Sequence, residues 1–264
     1  MTAAVVHRLR ARNVATDSEN RIHDDDVARR HGFRGGLVPG VTVYGYMTRP
    51  VVELLGRPWL ERGTVAARFV QPVYDGEEIA VTATPADGGH LVLEVRSERG
   101  EVCATGSATV AEAPPPAPAL EDFPAAPLPE QRPPADEASL AVGTVLGSVS
   151  GGFHADRSAP FLELLADDLP IYAAEGVAHP GYLILSANTI LAANVALGPW
   201  VHVSSEVTNL AAVPDGAVVE TRGRVADLFE RKGHRFVKLD VVWLADGRPV
   251  MRADHTAIYR LRGD

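Results

Sequence analysis

The sequence predicts an α+β protein made of two similar units, each an antiparallel sheet wrapped around one buried helix. Three observations carry this: ordered matches about 141 positions apart, one long apolar run in each half, and alternating strand-like runs after each. Gly40-Val41-Thr42-Val43-Tyr44 opens an apolar stretch that closes at Leu55-Gly56-Arg57-Pro58-Trp59. Gly181-Tyr182-Leu183-Ile184-Leu185 opens another, closing at Leu197-Gly198-Pro199-Trp200. Both glycines and both tryptophans are 141 positions apart, Asp75-Gly76 answers Asp215-Gly216 at 140, and Arg99-Gly100 answers Asp246-Gly247. Four matches in one order point to a duplication.

Each unit repeats the same elements. The run from 182 to 197 is apolar nearly all round, broken by Ser186, Asn188, Thr189 and Asn194. As a helix it would span roughly 24 Å, short for a membrane, and its internal asparagines favour burial inside a globular fold. The first helix carries Pro50, which is expected to kink it or end it early because proline lacks the amide N–H. Strand-like alternation follows at Val65 to Val70, Ile79 to Thr84, His90 to Arg96 and Val102 to Val110. It recurs at Val201 to Val213, Ala217 to Phe229, His234 to Leu244 and Val250 to Leu261. Glycine turns separate these runs at Asp75-Gly76, Asp87-Gly88-Gly89, Lys232-Gly233 and Asp246-Gly247.

Nine of the 20 prolines fall between Pro114 and Pro134, which reads as an extended connector. The expected division is therefore a first unit over 1–112, a linker over 113–135 and a second unit over 136–264. With 264 residues, 46% hydrophobic and 22% charged, the chain has the composition of a soluble globular protein. A net charge of −9 argues against a nucleic-acid partner. The single Cys103 excludes an internal disulfide, and the start Met1-Thr2-Ala3-Ala4-Val5-Val6-His7-Arg8 is too polar for a signal peptide, so a cytoplasmic protein without a membrane partner is expected. Dinucleotide-binding, P-loop and paired-histidine metal motifs are absent, and Gly147-Ser148-Val149-Ser150-Gly151 has valine where a nucleophile elbow needs serine.

The chemistry-bearing segment precedes the first helix and runs from Asp17 through Asn20, His23, Asp24-Asp25-Asp26, His31, Arg34, Gly35-Gly36 to Pro39-Gly40. Three consecutive acids are suited to starting a short helix over Val27 to His31 and do not converge as metal ligands must. His23 then sits in a loop beside Asn20, while Pro39-Gly40 start the buried helix with outward amides. An imidazole, an amide side chain and a helix N-terminus at one spot suit the polarisation of a thioester carbonyl and a proton transfer beside it.

This segment resembles the hydratase motif of MaoC-like dehydratases and (R)-specific enoyl-CoA hydratases, hotdog-fold enzymes with the pattern Asp-x-Asn-Pro-Ile/Leu-His, a short helix, then Phe-Gly-Gly-x-Ile-x-x-Gly. Asn20, Ile22, His23, Ala28, Phe33, Gly35, Gly36 and Gly40 match in order. The resemblance implies a double hotdog and a lyase that hydrates or dehydrates an acyl-CoA or acyl-carrier thioester. CoA would enter as part of the substrate, with no metal or redox cofactor, and a homodimer of such chains is compatible with the reading. It further implies His23 as the base or acid acting on water, Asn20 as its orienting partner and the Gly40 amide at the enolate-like oxygen. Arg34, Gly35, Gly36, Tyr44 and Tyr182 are the candidate substrate contacts, with Tyr46 and Leu183 as further tunnel candidates.

The motif's Asp is Ser18 here, and its Pro is Arg21. Three arrangements remain open: Asp17 or Glu19 takes the vacant place, Ser18 holds the water while His23 moves the proton alone, or the site binds an acyl thioester without hydrating it. A non-catalytic thioester binder and a hotdog acyl-CoA thioesterase are the alternatives to the hydratase. At the 141-residue offset Asn20 and His23 fall on Phe161 and Leu164, so the second unit lacks the motif and is expected to serve as a wall. His179 and His234 read as turn residues, and Cys103 as core.

Overall fold

The computed structural model describes residues 3–263. The first unit opens with strand β1 (Val5–Arg10), followed by a short helix α1 (Asp25–Arg30), the long central helix α2 (Gly40–Leu55) and α3 (Arg57–Arg62). Strands β2 (Gly63–Phe69), β3 (Glu78–Ala86), β4 (His90–Ser97) and β5 (Val102–Val110) complete it. The second unit begins with β6 (Val145–Gly152), then α4 (Ala159–Leu164), α5 (Ile171–Glu175) and its own central helix α6 (Pro180–Asn194). Its meander is β7 (Val201–Asn209), β8 (Val218–Arg231), β9 (His234–Ala245) and β10 (Arg248–Arg260).

Each unit folds a five-stranded antiparallel sheet over its central helix, and the two sheets join edge to edge as β1-β3-β4-β5-β2-β7-β10-β9-β8-β6. The seam is antiparallel, with Thr64 opposite Thr208, Ala66 opposite Glu206 and Arg68 opposite Ser204. Inward positions of the strands alternate with exposed ones and close over α2 and α6. Trp59, Tyr44, Tyr46 and Met47 in the first unit and Trp243, Leu146 and Ile184 in the second are removed from water. Each such large apolar side chain stabilises the fold by about 1.5–3 kcal/mol.

Two expectations need correction. Pro50 lies inside α2, which continues to Leu55 and ends where the Gly56 amide donates to the Val52 carbonyl. One missing N–H bond is outweighed by a helix buried along most of its length. The strands β1 and β6, absent from the sequence reading, form the two outer edges of the sheet. The proline-rich connector is extended but tied down, with Phe123 buried beneath the guanidinium groups of Arg224 and Arg252. The Ala196 amide further donates to the Pro133 carbonyl. Cys103 is buried, and burial pushes its thiol up to about 11. Among the described residues no helix is long and apolar enough to cross a membrane.

Candidate active site

The segment between β1 and α2 is shaped by its own polar side chains. The Asp24 carboxylate accepts from the Val27 amide at 3.0 Å and so starts α1, while the Asp25 carboxylate accepts from the Gly36 amide at 2.8 Å and folds the loop back. A β-carbon on Gly36 would lie 2.1 Å from the His23 carbonyl oxygen. The glycine pair therefore allows a close approach of two backbone segments, which seats His23 directly against the residues leading into α2.

His23 is buried, with 9% of its surface exposed. Its Nδ1–H donates to the Leu37 carbonyl at 2.7 Å, and a carbonyl only accepts, so Nε2 carries the lone pair, which accepts from Asn20 Nδ2 at 3.3 Å. Burial lowers the basicity of this imidazole below its ordinary value, with the Leu37 bond opposing in part. A neutral ring with a fixed tautomer is thus presented as a base. Asn20 is fully engaged: its Oδ1 accepts from Ile22 and Trp200 amides at 3.3 and 3.1 Å, and its Nδ2 donates to the Trp200 carbonyl at 3.0 Å. The same Nδ2 lies 3.3 Å from His23 Nε2. Asn20 locks the loop of the first unit onto the strand start of the second.

Two cavities meet at this point. One of about 260 Å³ is walled by Phe33, Leu37, Val43, Phe69 and Ile258. The other, about 590 Å³, is walled by Val41, Leu185, Ala192 and Leu197. Asn20, His23, Pro39, Asn188 and Trp200 line both and form the waist between them. Gly40, at the start of the 16-residue helix α2, faces the smaller cavity. The Gly40 and Val41 amides have no protein acceptor among the described residues, leaving donors at the positive end of the helix dipole.

The remaining candidates are placed as follows. Ser18 lines the larger cavity and donates through Oγ to the Asn20 carbonyl at 3.1 Å. Glu19 lies at the rim, where it pairs with Arg132 of the connector at 2.7 Å. Asp17 is exposed and belongs to neither wall. Arg34 stacks over Tyr74 at 4.1 Å and reaches Glu77, outside both cavities. Tyr44 and Tyr46 are wholly buried in the core, with Tyr46 accepting from the Arg12 amide. Tyr182 and Leu183 line a separate depression with Val149 and Thr221. His179 is a buried cap on α6, where the sequence suggests a turn residue. Among the described residues no group of three or more metal-binding side chains converges.

Sequence reasoning passes over a buried polar chain behind the waist. His202 Nε2 and Ser205 Oγ are 2.8 Å apart, Ser205 Oγ and His255 Nδ1 2.9 Å, and His255 Nε2 and Asn188 Oδ1 3.0 Å. Polar residues at inward strand positions, and an asparagine in an apolar helix, are the signals that could have found it.

No protein-family profile and no curated protein sequence matches the chain. Solved structures do. A conserved hypothetical protein from Mycobacterium tuberculosis, described as having a double hotdog fold, superposes with a TM-score of 0.69 at 15% identity, covering 98% of this chain and 96% of its own. The fold is a double hotdog. A chain assigned as a MaoC domain protein dehydratase from Chloroflexus aurantiacus gives 0.67 at 12% identity, covering 100% and 97%. The 12:0-ACP thioesterase from Umbellularia californica gives 0.52 at 8% identity, covering 97% of each. The fold is thus similar to that of a chain assigned as a dehydratase and of a thioesterase, and at these identities the likeness shows the fold alone.

Proposed function

We propose that the chain hydrates 2-enoyl thioesters to 3-hydroxyacyl thioesters and catalyses the reverse dehydration, with CoA or an acyl carrier as the handle. The observation that carries this reading is His23 at the waist: its Nδ1–H is held by Leu37, which leaves Nε2 as the basic atom, oriented by the Asn20 amide at 3.3 Å, beside the open N-terminus of α2. In the forward direction the water oxygen bonds to C3 while its proton passes to His23 Nε2. The C2=C3 electron pair shifts toward the thioester, and the enolate-like oxygen is held by the Gly40 amide. The imidazolium then returns its proton to C2. The residues required are those of the chain itself, with CoA as part of the substrate, and the reaction suits the cytoplasm.

Glu19 is the sole acidic residue on the two cavity walls among the described residues, and it is turned to Arg132. Of the three arrangements for the missing acid, this favours Ser18 at the water with His23 alone moving the proton. The test is loss of enoyl-thioester ultraviolet absorbance across a panel of chain lengths, with formation of the hydroxyacyl product. Unchanged activity in His23→Ala overturns the assignment. The same lack of a second carboxylate favours one rival, a thioester-binding protein without turnover. Tight acyl-CoA binding with no product, together with hydration gained by Ser18→Asp, selects that rival.

A further inference from the structure

The buried chain behind the waist has a direction. His202, Ser205 and His255 are almost fully buried, and the two imidazoles stack at 4.1 Å. His202 Nδ1 has no hydrogen-bond partner and lies against Gly40, where a β-carbon would come within 2.8 Å of it. One end of the chain is therefore unsatisfied in either direction. If protons ran from Asn188 toward His202, Nδ1 would be a buried N–H without an acceptor, which folded proteins rarely hold. In the opposite direction Nδ1 is only a vacant lone pair. His202 Nε2–H then donates to Ser205 Oγ, Ser205 Oγ–H to His255 Nδ1, and His255 Nε2–H to Asn188 Oδ1. Burial holds His202 well below ordinary histidine basicity and takes His255 down to about 3, so both rings stay neutral, as this ordering needs.

Asn188 Oδ1 is thus taken by His255, which leaves Nδ2, without a protein acceptor among the described residues, as the donor of a side chain that lines both cavities at the waist. Asn20 has no donor to spare, its two N–H groups going to the Trp200 carbonyl and to His23 Nε2, and neutral His23 has no second N–H to offer. An enoyl thioester brings one strong acceptor to such a place, its carbonyl oxygen. We propose that Asn188, on the central helix of the second unit, donates from Nδ2 to the thioester carbonyl, with His255, Ser205 and His202 as the residues that position it. The inference rests on the reading that the site takes an acyl thioester. The carbonyl oxygen has two lone pairs, so Asn188 complements the Gly40 amide, and each unit supplies one donor to one substrate.

The test is a pair of unreactive CoA ligands titrated calorimetrically against the full chain. One is an alkyl-CoA thioether without a carbonyl, and the other a dethia ketone that keeps the carbonyl and replaces sulfur by methylene. The preference for the ketone should fall about fivefold in Asn188→Ala, the size of one lost neutral hydrogen bond, while thioether affinity stays within about twofold. Asn188→Asp keeps the acceptor for His255 and removes the donor, so its loss should be larger. His255→Leu should lower the ketone preference, and His255→Gln, with an N–H to offer, should restore part of it. An equal loss on both ligands in Asn188→Ala, or no loss on either, overturns the inference and leaves the thioester reading standing. Failure of the unsubstituted chain to bind either ligand overturns both.

Discussion

The two central helices begin at equivalent places and end up in opposite states. At α2 the Gly40 amide opens onto a cavity beside His23. At α6 the amide of Gly181, 141 positions later, donates to His179 Nδ1 at 2.9 Å. That bond leaves the His179 proton on Nε2, which donates to the buried Asp167 carboxylate at 3.1 Å. Val38 stands where the second unit has His179. One helix start is open to a ligand and its counterpart is plugged by its own side chains, a difference that supports the proposed chemistry in the first unit without any appeal to the motif.

The sharpest way to break this comparison is to truncate the two matching positions one at a time. His23→Ala should lower hydration about 10²–10⁴-fold, whereas Leu164→Ala, at the matching position of the second unit, should leave turnover within about twofold; steady-state assays of the two variants decide it. In the second unit the expected loss is of stability. His179→Ala removes the cap from Gly181 and leaves Asp167 buried without its partner, at a cost of about 3 kcal/mol in urea unfolding, with little change in kcat once folded. Gly36→Ala forces the His23 backbone away and should cost about 1–3 kcal/mol, with kcat falling more than KM.

The last effect is graded with pH. His23, His202 and His255 all have lowered basicity in the folded chain, His255 from 6.5 to about 3. Above pH 6.5 they are neutral whether folded or not. On acidification the unfolded chain takes up protons that the folded one refuses, so stability should fall from about pH 6.5 downward and continue falling to about pH 3. Urea midpoints at stepped pH follow this, and His255→Gln should flatten the slope.

The central helices and the eight strands of the two meanders were legible because burial imposes periodicity that a sequence displays. The edges were not. Val5–Arg10 carries histidine and arginines between its apolar residues, and Val145–Gly152 is rich in glycine and serine, compositions that suit unpaired sheet edges and resemble loops. Within the site, Asn20, His23 and Gly40 share one short segment and could be read together. Asn188, His202, Ser205 and His255 lie on α6, β7 and β10, and only the register of β7 against β10, with His255 opposite Ser205, brings them into one chain. Pro50 misled because propensity rules describe isolated helices, and α2 is surrounded by core.

The antiparallel seam between β2 and β7 has a consequence for how such a molecule can change. Two identical chains meeting across that seam would present every wall twice, so a substitution that improved one pocket would alter its twin as well. Covalent doubling removes that constraint. Here Asn20 grips Trp200 across the halves, while the residues at the mirrored places, Phe161 and Trp59, pack in quite different surroundings. Each half is free to specialise within a sheet whose symmetry no longer binds them to the same sequence.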